Sequence, residues 1–364
     1  MENHLSTDKI VVMIHSLKCV SLMAIGMGLF SVSIAQKAET VKIIKEKNEN
    51  KINIIIGEKL FTSFLYPDTL EKPVLYPLYA SNGTRITRGF PVNPLPGDPT
   101  DHPHHLGLWF NHGSVNGLDF WNNSFDIPAE KKHLYGWIKT DRILETKDGT
   151  KGILSYHANW TNQKNDVLLE ETTRFEFRGT VHQNIIDRIT ILKANTDVLF
   201  ADTKEGTLGL RVAHALEIPV IKDQKFTDDK GNVTVVKVRT DSIANGDFLT
   251  SEGKKGDDVW GTRARWCQVF GKMGNDSISI AIIDHPGNPN YPTFWHARGY
   301  GLFAANPLGE KIFTEGKSEK NLLLKKGESV RFYYRIIIND DKKTLSTEQL
   351  NKMADDFAKI NAGR

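Results

Sequence analysis

Four of the chain's twelve histidines fall in one short segment, which runs Asp-His-Pro-His-His-Leu-Gly-Leu-Trp-Phe-Asn-His from Asp101 to His112. Near neutral pH an imidazole acts as a general acid, a general base, a metal ligand or a hydrogen-bonding anchor. A lone histidine is usually a satisfied polar residue, but four beside a carboxylate and two tryptophans favour a functional site. We predict catalytic roles for His104, His105 and His112, and substrate contacts by Asp101, His102, Trp109 and Trp121.

A second candidate segment leaves an apolar strand with Asp284-His285-Pro286, the same tripeptide that opens the first segment. A strand that ends in Asp-His before a proline-rich loop places both side chains at the rim of a sheet. An alternative role for Asp284 is to cap a turn. Because Trp295 and His296 follow nearby, we favour a site. We predict catalytic roles for Asp284 and His296, and substrate contacts by His285, Trp295 and Arg298.

A third set lies on the expected strand Thr207–Ile218, in which alternate residues face opposite sides. The apolar side would carry His214, and a core histidine is the favoured interpretation there. Arg211 and Glu217 share the other side. If that side lines a cleft, Glu217 is a candidate catalytic base and Arg211 an anchor for substrate oxygens. An ion pair between the two is the alternative.

Two kinds of chemistry fit the histidine segment. In the first, a metal binds to His102, to His104 or His105, and to His112, with Asp101 as a further ligand. No two histidines have the helical zincin spacing, so we name no metal ligand and no cofactor, and a divalent metal stays open. In the second, which we prefer, histidines and carboxylates contact the hydroxyls of a sugar. The apolar ring faces would then come from Trp109, Trp121, Trp295, Tyr291 and Tyr300.

Other classes of function lack their sequence signals. The chain has no P-loop, no dinucleotide-binding glycine pattern, no nucleophile elbow and no His-Glu-x-x-His motif. The 47 Lys and Arg residues nearly balance the 44 Asp and Glu residues, and the net charge is +3. Because these charges are interspersed, no basic run is present to follow a phosphate backbone. We therefore expect no nucleic acid as partner. The preferred sugar-contact interpretation implies a carbohydrate instead.

Segments rich in Val, Ile, Thr and aromatic residues, separated by Gly, Asn and Asp clusters, dominate the chain after residue 40. Two proline-rich stretches, 88–128 and 284–310, interrupt them, and we expect the site there. The one strong helical pattern is terminal, where Ser346 and Gln349 form a capping box before an apolar stripe. The sequence therefore predicts an all-β fold, a large antiparallel β-sandwich with a C-terminal helix.

The first 35 residues have the pattern of an export signal. Lys9 and Lys18 precede the apolar run Val20–Ile34, and Ser33 and Ala35 are small residues suited to cleavage before residue 36. We expect residues 1–35 to be removed and residues 36–364 to form a single β-sandwich domain. The expected location is periplasmic or secreted, with no integral membrane association after cleavage.

The segments Asp101–Trp121 and Ile282–Gly309 together resemble a bacterial family of exported proteins, DUF6807, also labelled "methane oxygenase PmoA-like". The resemblance covers most of the mature chain. It implies a β-supersandwich similar to that of the galactose mutarotases. In sites of that kind, histidines and a carboxylate protonate a ring oxygen and deprotonate an anomeric hydroxyl.

The expected function is that of an exported carbohydrate-active enzyme, which uses His/Asp/Glu acid–base chemistry on a sugar or glycoside as an isomerase, lyase or hydrolase. A non-catalytic carbohydrate-binding protein is the alternative, and a metal-dependent oxygenase comes third. Acid and base must reach one substrate. We therefore expect His104 or His105 to share a pocket with Asp284, His285 and His296, and His105→Ala and His296→Ala each to abolish turnover.

Overall fold

A computed structural model describes residues 37–47, 49–227, 233–238 and 242–360, so the predicted export signal lies outside the described residues. In chain order the strands are β1 (Val41–Lys45), β2 (Lys51–Ile56), β3 (Lys59–Leu65), β4 (Val74–Leu78), β5 (Leu108–His112), β6 (Trp137–Lys147), β7 (Gly152–Thr161), β8 (Val167–Gly179), β9 (Gln183–Ala194), β10 (Val198–Phe200), β11 (Gly206–Arg211), β12 (Gln224–Thr227), β13 (Val233–Val236), β14 (Asp247–Thr250), β15 (Trp266–Met273), β16 (Asp276–Asp284), β17 (Phe294–Arg298), β18 (Leu302–Asn306), β19 (Leu322–Leu324) and β20 (Ser329–Asn339). The α-helices are α1 (Glu310–Phe313) and α2 (Thr347–Ala358).

Two eight-stranded antiparallel sheets form the fold. The first sheet has the order β1-β2-β3-β4-β5-β11-β18-β17, and the second has the order β14-β15-β16-β20-β9-β8-β7-β6. Two short antiparallel pairs, β10 with β19 and β12 with β13, lie outside them. The prediction of an all-β antiparallel sandwich with a C-terminal helix is confirmed. Among the described residues, no helix is both long and apolar enough to cross a bilayer.

Strand alternation builds the core between the two sheets. On β8 the residues Leu169, Phe175 and Phe177 are buried, whereas the intervening Arg174 and Glu176 are half-buried. Side chains with this period of two point to one face, so each strand contributes every second residue to the shared core. The core cluster accordingly contains buried residues from strands of both sheets.

Helix α2 covers the outer face of the second sheet. Ser346 accepts a hydrogen bond from the backbone of Gln349 and the Gln349 side chain accepts one in return, so the predicted capping box is present. Leu350 and Phe357 pack against Ile337 of β20 in a cluster separate from the main core. Strands β16 and β20 are therefore buried on both faces, which explains their nearly continuous apolar sequences.

Two details of the sequence analysis are wrong. The expected strand Thr207–Ile218 ends at Arg211, and a 3-10 turn at His214–Leu216 follows it. Arg211 and Glu217 therefore do not share a strand face. The stretches 88–128 and 284–310 are also more regular than expected, because they contain β5, β17 and β18. Prolines occur in the loops around these strands. Because the prolines are numerous, the sequence pattern did not reveal the short strands between them.

A charged group lies inside the sandwich core. The Glu171 carboxylate, fully buried on β8, accepts hydrogen bonds from Arg188 Nη2 at 2.8 Å, Tyr156 Oη at 2.6 Å and Trp160 Nε1 at 2.8 Å. Thr173 Oγ1 donates a further bond at 2.7 Å. A buried carboxylate is tolerated when a counter-charge and hydrogen bonds compensate for its lost hydration. Arg188 supplies that counter-charge.

We expect Arg188→Met to lower the free energy of unfolding by about 3–5 kcal/mol, because it leaves Glu171 buried without a counter-charge. Urea denaturation measures this. Arg174→Met is the matched control on the neighbouring strand. Arg174 pairs with Glu145 and Glu176 while 34% of its side chain is exposed, so its loss should cost at most about 1 kcal/mol. Equal effects of the two substitutions would contradict the argument.

Candidate functional site

The candidate site lies on the outer face of the first sheet. The strand register places Trp109, Gly209, Ala304 and His296 side by side across β5, β11, β18 and β17. Residues directly opposite one another in antiparallel strands share a face. Trp109 and Ala304 belong to a separate outer cluster, whereas the next residue on β18, Phe303, packs in the inter-sheet core. His296 thus lies on the same face of the sheet as Trp109, with β11 and β18 between their strands, although the two residues are far apart in sequence.

Residues 101–107, which precede β5 and which we call the histidine loop, pack closely on this face. Two glycines permit this packing. Gly209 has no side chain, and a Cβ there would lie 2.4 Å from the Trp109 ring. Gly107 has φ +57°, and a Cβ there would lie 2.3 Å from the carbonyl oxygen of Leu75. Only glycine combines this backbone conformation with so close an approach. The chain can therefore turn tightly from the loop into β5.

Two buried arginines hold the histidine loop. The Arg211 guanidinium, at the end of β11, contacts the two carboxylate oxygens of Asp101 at 2.8 and 3.2 Å. Arg88 donates from Nη1 to the backbone carbonyl of Asp101 at 2.6 Å, and from Nη2 to those of His102 and His105 at 2.9 and 3.0 Å. Rigid, multidentate guanidinium contacts of this kind fix both distance and orientation.

A cavity of about 450 Å³ opens where the loop meets β17. Its volume is within the range of small-molecule sites. We call it the histidine cavity. It is lined by His102, Pro103, His104, His105, Asn122, Ser124, Asp126, Ile127, Pro128, Lys131, Tyr135, Lys204, Glu205, Lys225, Thr234, His296, Arg298 and Tyr300. The structure thus brings the loop histidines and His296 to one cavity.

Hydrogen bonds define the proton positions on three of these rings. His102 Nδ1 lies 2.6 Å from Asp101 Oδ1, and His296 Nδ1 lies 2.8 Å from the backbone carbonyl of Lys204. Both partners accept only, so Nδ1 carries the proton and Nε2 of each neutral ring is an acceptor. His105 is the reverse case. Its Nδ1 faces Arg211 Nη1 at 3.4 Å, so the proton of the neutral ring is on Nε2.

The four cavity histidines favour the neutral form. Burial lowers the pKa of His104, His105 and His296 well below the ordinary value of 6.5, and nearby positive groups lower it further. Burial also lowers the pKa of His102, although the hydrogen bond to Asp101 opposes that effect. A buried imidazole loses hydration most when charged, so the neutral ring is the stable form near pH 7.

The Asp101 carboxylate stays ionised in the same surroundings. Burial alone would raise its pKa, but Arg211, then His102 and Arg88, together hold that pKa well below its usual range. The ion pair with Arg211 therefore keeps a fixed negative charge beside His102.

Parallel rings line one side of the cavity. The His102 ring stacks on Tyr300 and on His105, each with ring centroids 4.8 Å apart and planes 3° from parallel. His105 stacks in turn on Trp109, with centroids 5.3 Å apart. The Arg211 guanidinium lies 5.0 Å from the centre of the Tyr300 ring. These contacts restrict the rotation of the imidazoles, so the cavity wall is set before any ligand binds.

Several expected site residues lie elsewhere. Trp109, Trp121 and Trp295 are each 0% exposed, so none of these tryptophans offers a face to a ligand. Trp109 and Trp121 instead pack beneath the histidine loop, and Trp295, one strand position from His296, points into the inter-sheet core. The expectation of tryptophan platforms is wrong, because Trp109 and Trp295 lie on strands covered on both faces and Trp121 is buried in the loop after β5.

His112, Asp284 and His285 are also separate from the cavity. The fully buried His112 donates from Nε2 to the carbonyl of Ala201 at 2.7 Å. Asp284 is the last residue of β16 on the second sheet, and His285 follows it. There Asp284 accepts hydrogen bonds from Asn288 Nδ2 at 2.6 Å and Thr293 N at 2.8 Å.

The His285 ring packs near Tyr333 and Phe357, under helix α2. The expected shared pocket thus includes His296 but neither Asp284 nor His285. Asp284 takes the turn-forming role that was the alternative, because its two accepted bonds fix the loop that leads to β17.

Glu217 and Arg211 are close, as the ion-pair alternative supposed, with Arg211 Nη2 3.5 Å from Glu217 Oε1. His214 Nδ1 lies 2.7 Å from the other carboxylate oxygen. The buried His214 is therefore engaged by a carboxylate rather than packed as an apolar core residue. The turn after Arg211 produces this arrangement, which strand alternation alone could not predict.

Some residues at the site were not expected from sequence. Arg88 holds the loop, while Lys204 and Glu205 line the histidine cavity from the segment that precedes β11. For Lys204 and Glu205 the available signal was their position directly before the apolar strand β11. Within the described part of the chain, no group of three or more His, Cys, Asp and Glu side chains has the geometry to hold a metal ion.

The lowered pKa of His105 makes the stability of the protein depend on pH. Below about pH 6.5 the unfolded chain protonates this residue while the folded chain does not, so the free energy of unfolding falls as the pH is lowered. We expect His105→Phe, which keeps a ring between His102 and Trp109, to reduce the fall between pH 7.5 and 5.5 by about 1 kcal/mol. Urea denaturation at the two pH values measures it. An unchanged pH dependence would contradict a neutral His105.

Comparison with solved structures gives remote likenesses. The Slr1438 protein of Synechocystis sp. PCC 6803 is 9% identical, with a TM-score of 0.37 over 86% of this chain and 100% of that one. The GH36 α-galactosidase of Geobacillus stearothermophilus is 10% identical, with a TM-score of 0.37 over 82% of this chain but only 41% of its own length. A galactose mutarotase related enzyme of Lactobacillus acidophilus is 8% identical, with a TM-score of 0.31 over 84% of this chain and all of its own.

No curated protein matches the sequence. The family model DUF6807, described as a family of unknown function, matches residues 51–355. That description names no oxygenase, so the methane oxygenase label stays untested. The match spans most of the chain and includes both segments on which the resemblance was based, and the chain therefore belongs to the DUF6807 family.

Proposed function

We propose that this protein is an enzyme that binds a sugar in the histidine cavity and moves a proton to or from it. The convergence of His102, His105 and His296 on one cavity, with their tautomers fixed by separate partners, supports this most. A sugar hydroxyl is both donor and acceptor, and the cavity offers both kinds of group within one small volume. Isomerisation, elimination and hydrolysis all begin from such a proton transfer.

His102 is the proposed general base. Its Nε2 is the basic nitrogen of the neutral ring, and the imidazolium formed by taking a proton would lie 2.6 Å from the Asp101 carboxylate. Asp101 therefore stabilises the charged product of the transfer, as the carboxylate does in an Asp-His pair of a hydrolase. The same carboxylate also orients the ring.

The other two rings are proposed to position the sugar. His105 presents an Nε2 proton and can donate to a sugar oxygen, including one that becomes negative during the reaction. His296 presents an acceptor nitrogen, but protonation there is opposed by Arg298 and Lys204. His296 therefore suits acceptance of a hydroxyl hydrogen bond better than removal of the proton. Glu205 is a further carboxylate in the lining.

We also propose that the protein acts outside the cytoplasm. The support is the signal-like pattern of residues 1–35, with lysines before an apolar run and small residues at its end. Cell fractionation followed by amino-terminal sequencing tests this, and protein found only in the cytoplasm with residues 1–35 still attached would overturn it.

His102→Asn should lower turnover by about 10²–10⁴ while changing substrate affinity little, because it removes the base. Asparagine is chosen because His102 has φ +43°, a conformation that asparagine tolerates. The assay follows anomeric exchange and bond cleavage by NMR over a panel of sugars, uronic acids and oxidised glycosides. His182→Asn, at an exposed hairpin, is the matched control. Wild-type protein that neither binds nor converts any member would overturn the proposal.

His296→Ala and His105→Ala are expected to weaken sugar binding as well as turnover, since each removes a hydrogen bond to the substrate. The loss of one buried hydrogen bond corresponds to about 1–3 kcal/mol, or roughly a 5- to 150-fold rise in Kd. Titration calorimetry with the active sugar measures the change. An unchanged Kd in both variants would exclude these rings from the binding site.

A further inference from the structure

A second cavity, of about 390 Å³, lies next to the histidine cavity. Tyr300 lines both. Asp101 and Gln224 line the second cavity, while their chain neighbours His102 and Lys225 line the first. The loop before β5, the β12–β13 pair and the turn between β17 and β18 therefore each contribute to the two cavities. A ligand that filled both would cross a wall made by Asp101 and Tyr300.

Two buried oxygens of residues that line the second cavity receive no hydrogen bond from the part of the chain that the structure describes. Among the described residues, neither Glu217 Oε1 nor Gln224 Oε1 accepts a hydrogen bond. Arg211 Nη2 lies 3.5 Å from Glu217 Oε1, as an ion-pair partner only. Nearly all buried polar atoms in folded proteins are satisfied, so two such acceptors in one cavity call for a donor from outside the chain.

The orientation of Glu217 is fixed by its neighbour. His214 Nδ1 lies 2.7 Å from Glu217 Oε2, so this oxygen is occupied and the carboxylate plane is held. Glu217 is only 6% exposed. A carboxylate fixed in this way, with one oxygen hydrogen-bonded and the other within ion-pair distance of Arg211 only, is suited to accept a hydrogen bond from a hydroxyl group.

Aliphatic residues line part of the second cavity, together with the charged residues Asp98, Asp101 and Lys237. Its wall includes the side chains of Ile218, Pro219, Val220, Val235 and Val236. Acceptors on one side and aliphatic carbons on the other suit a ligand that has hydroxyl donors and an apolar face. A sugar ring has both features, since its hydroxyls lie around the rim and its C–H groups form the faces.

We propose that the second cavity is a subsite for a second sugar ring, so that the ligand is at least a disaccharide whose linkage lies beside Asp101 and Tyr300. This inference rests on the proposed function, because it takes the first ring to occupy the histidine cavity. Glu217 and Gln224 then act as binding residues that accept hydroxyl hydrogen bonds, and Glu217 is not the catalytic base.

The test compares ligands of one and two rings on the full chain. A set of methyl glycosides of common hexoses, pentoses and uronic acids, the disaccharides built from them and their 4-nitrophenyl glycosides are titrated by calorimetry. A disaccharide should bind at least about 10-fold more tightly than its methyl glycoside, the equivalent of one good buried hydrogen bond.

Two variants test whether the tighter binding of the disaccharide comes from the second cavity. Gln224→Leu removes one acceptor and Val220→Trp fills the cavity from a half-buried position, and each should cancel the 10-fold gain without changing the Kd of the methyl glycoside. Gln163→Leu, on an exposed turn, is the matched control and should keep the gain. Circular dichroism spectra confirm that each variant is folded, and the unchanged methyl glycoside affinity reports an intact first cavity.

The remaining outcomes separate the two proposals. Equal affinities for one and two rings would overturn the subsite and leave the proposed function in place. If a 4-nitrophenyl glycoside bound more tightly to Gln224→Leu than to the wild type, the second cavity would prefer an aromatic group to a second sugar ring. That result would overturn the sugar subsite. Failure of every probe to bind the wild-type protein would overturn both proposals together.

Discussion

The buried ion pair between Asp101 and Arg211 is the interaction on which the candidate site depends. It joins the histidine loop to the end of β11, two parts of the chain separated by 110 positions. Asp101 also accepts a hydrogen bond from His102, while Arg211 contacts His105 Nδ1 and forms an ion pair with Glu217. Both cavities are therefore built around one pair of opposite charges. A buried pair of this kind adds little net stability compared with apolar residues, but breaking it leaves an uncompensated charge. What the pair contributes is therefore mainly the geometry that it imposes.

The same pair explains why His102 and His105 have different tautomers. All four cavity imidazoles favour the neutral form, but only His102 has a carboxylate against its ring. His105 meets a guanidinium instead, which reverses its tautomer. His296 is fixed by a backbone carbonyl. The three rings, two from the loop before β5 and one from β17, thus differ at Nε2, which is an acceptor on His102 and His296 and a donor on His105, because each ring has a different partner for Nδ1.

The sequence predicted the parts of the structure that depend on local pattern. Alternation and turn residues gave the all-β fold, and the capping box at Ser346 gave the helix on the second sheet. Clustering of histidines gave the loop. The sequence did not predict which face each residue of a doubly covered strand would occupy, so Trp295 was expected in a site and lies in the core. Nor could it predict the turn after Arg211, because no glycine or proline marks it.

The position of the site follows from how the first sheet is covered. Its inner face packs on the second sheet. The residues of β5, β11, β17 and β18 on its outer face are therefore buried only where other parts of the chain cover them. The histidine loop and the β12–β13 pair supply it, and the spaces left beneath them are the two cavities. Arg211 and Arg298 flank Leu302 in one row of that outer face, at the end where the strands give way to loops. Polar groups at this end are held by rigid strands yet lie beneath loops that vary easily, which is the arrangement that lets a packed sandwich carry a precise binding site.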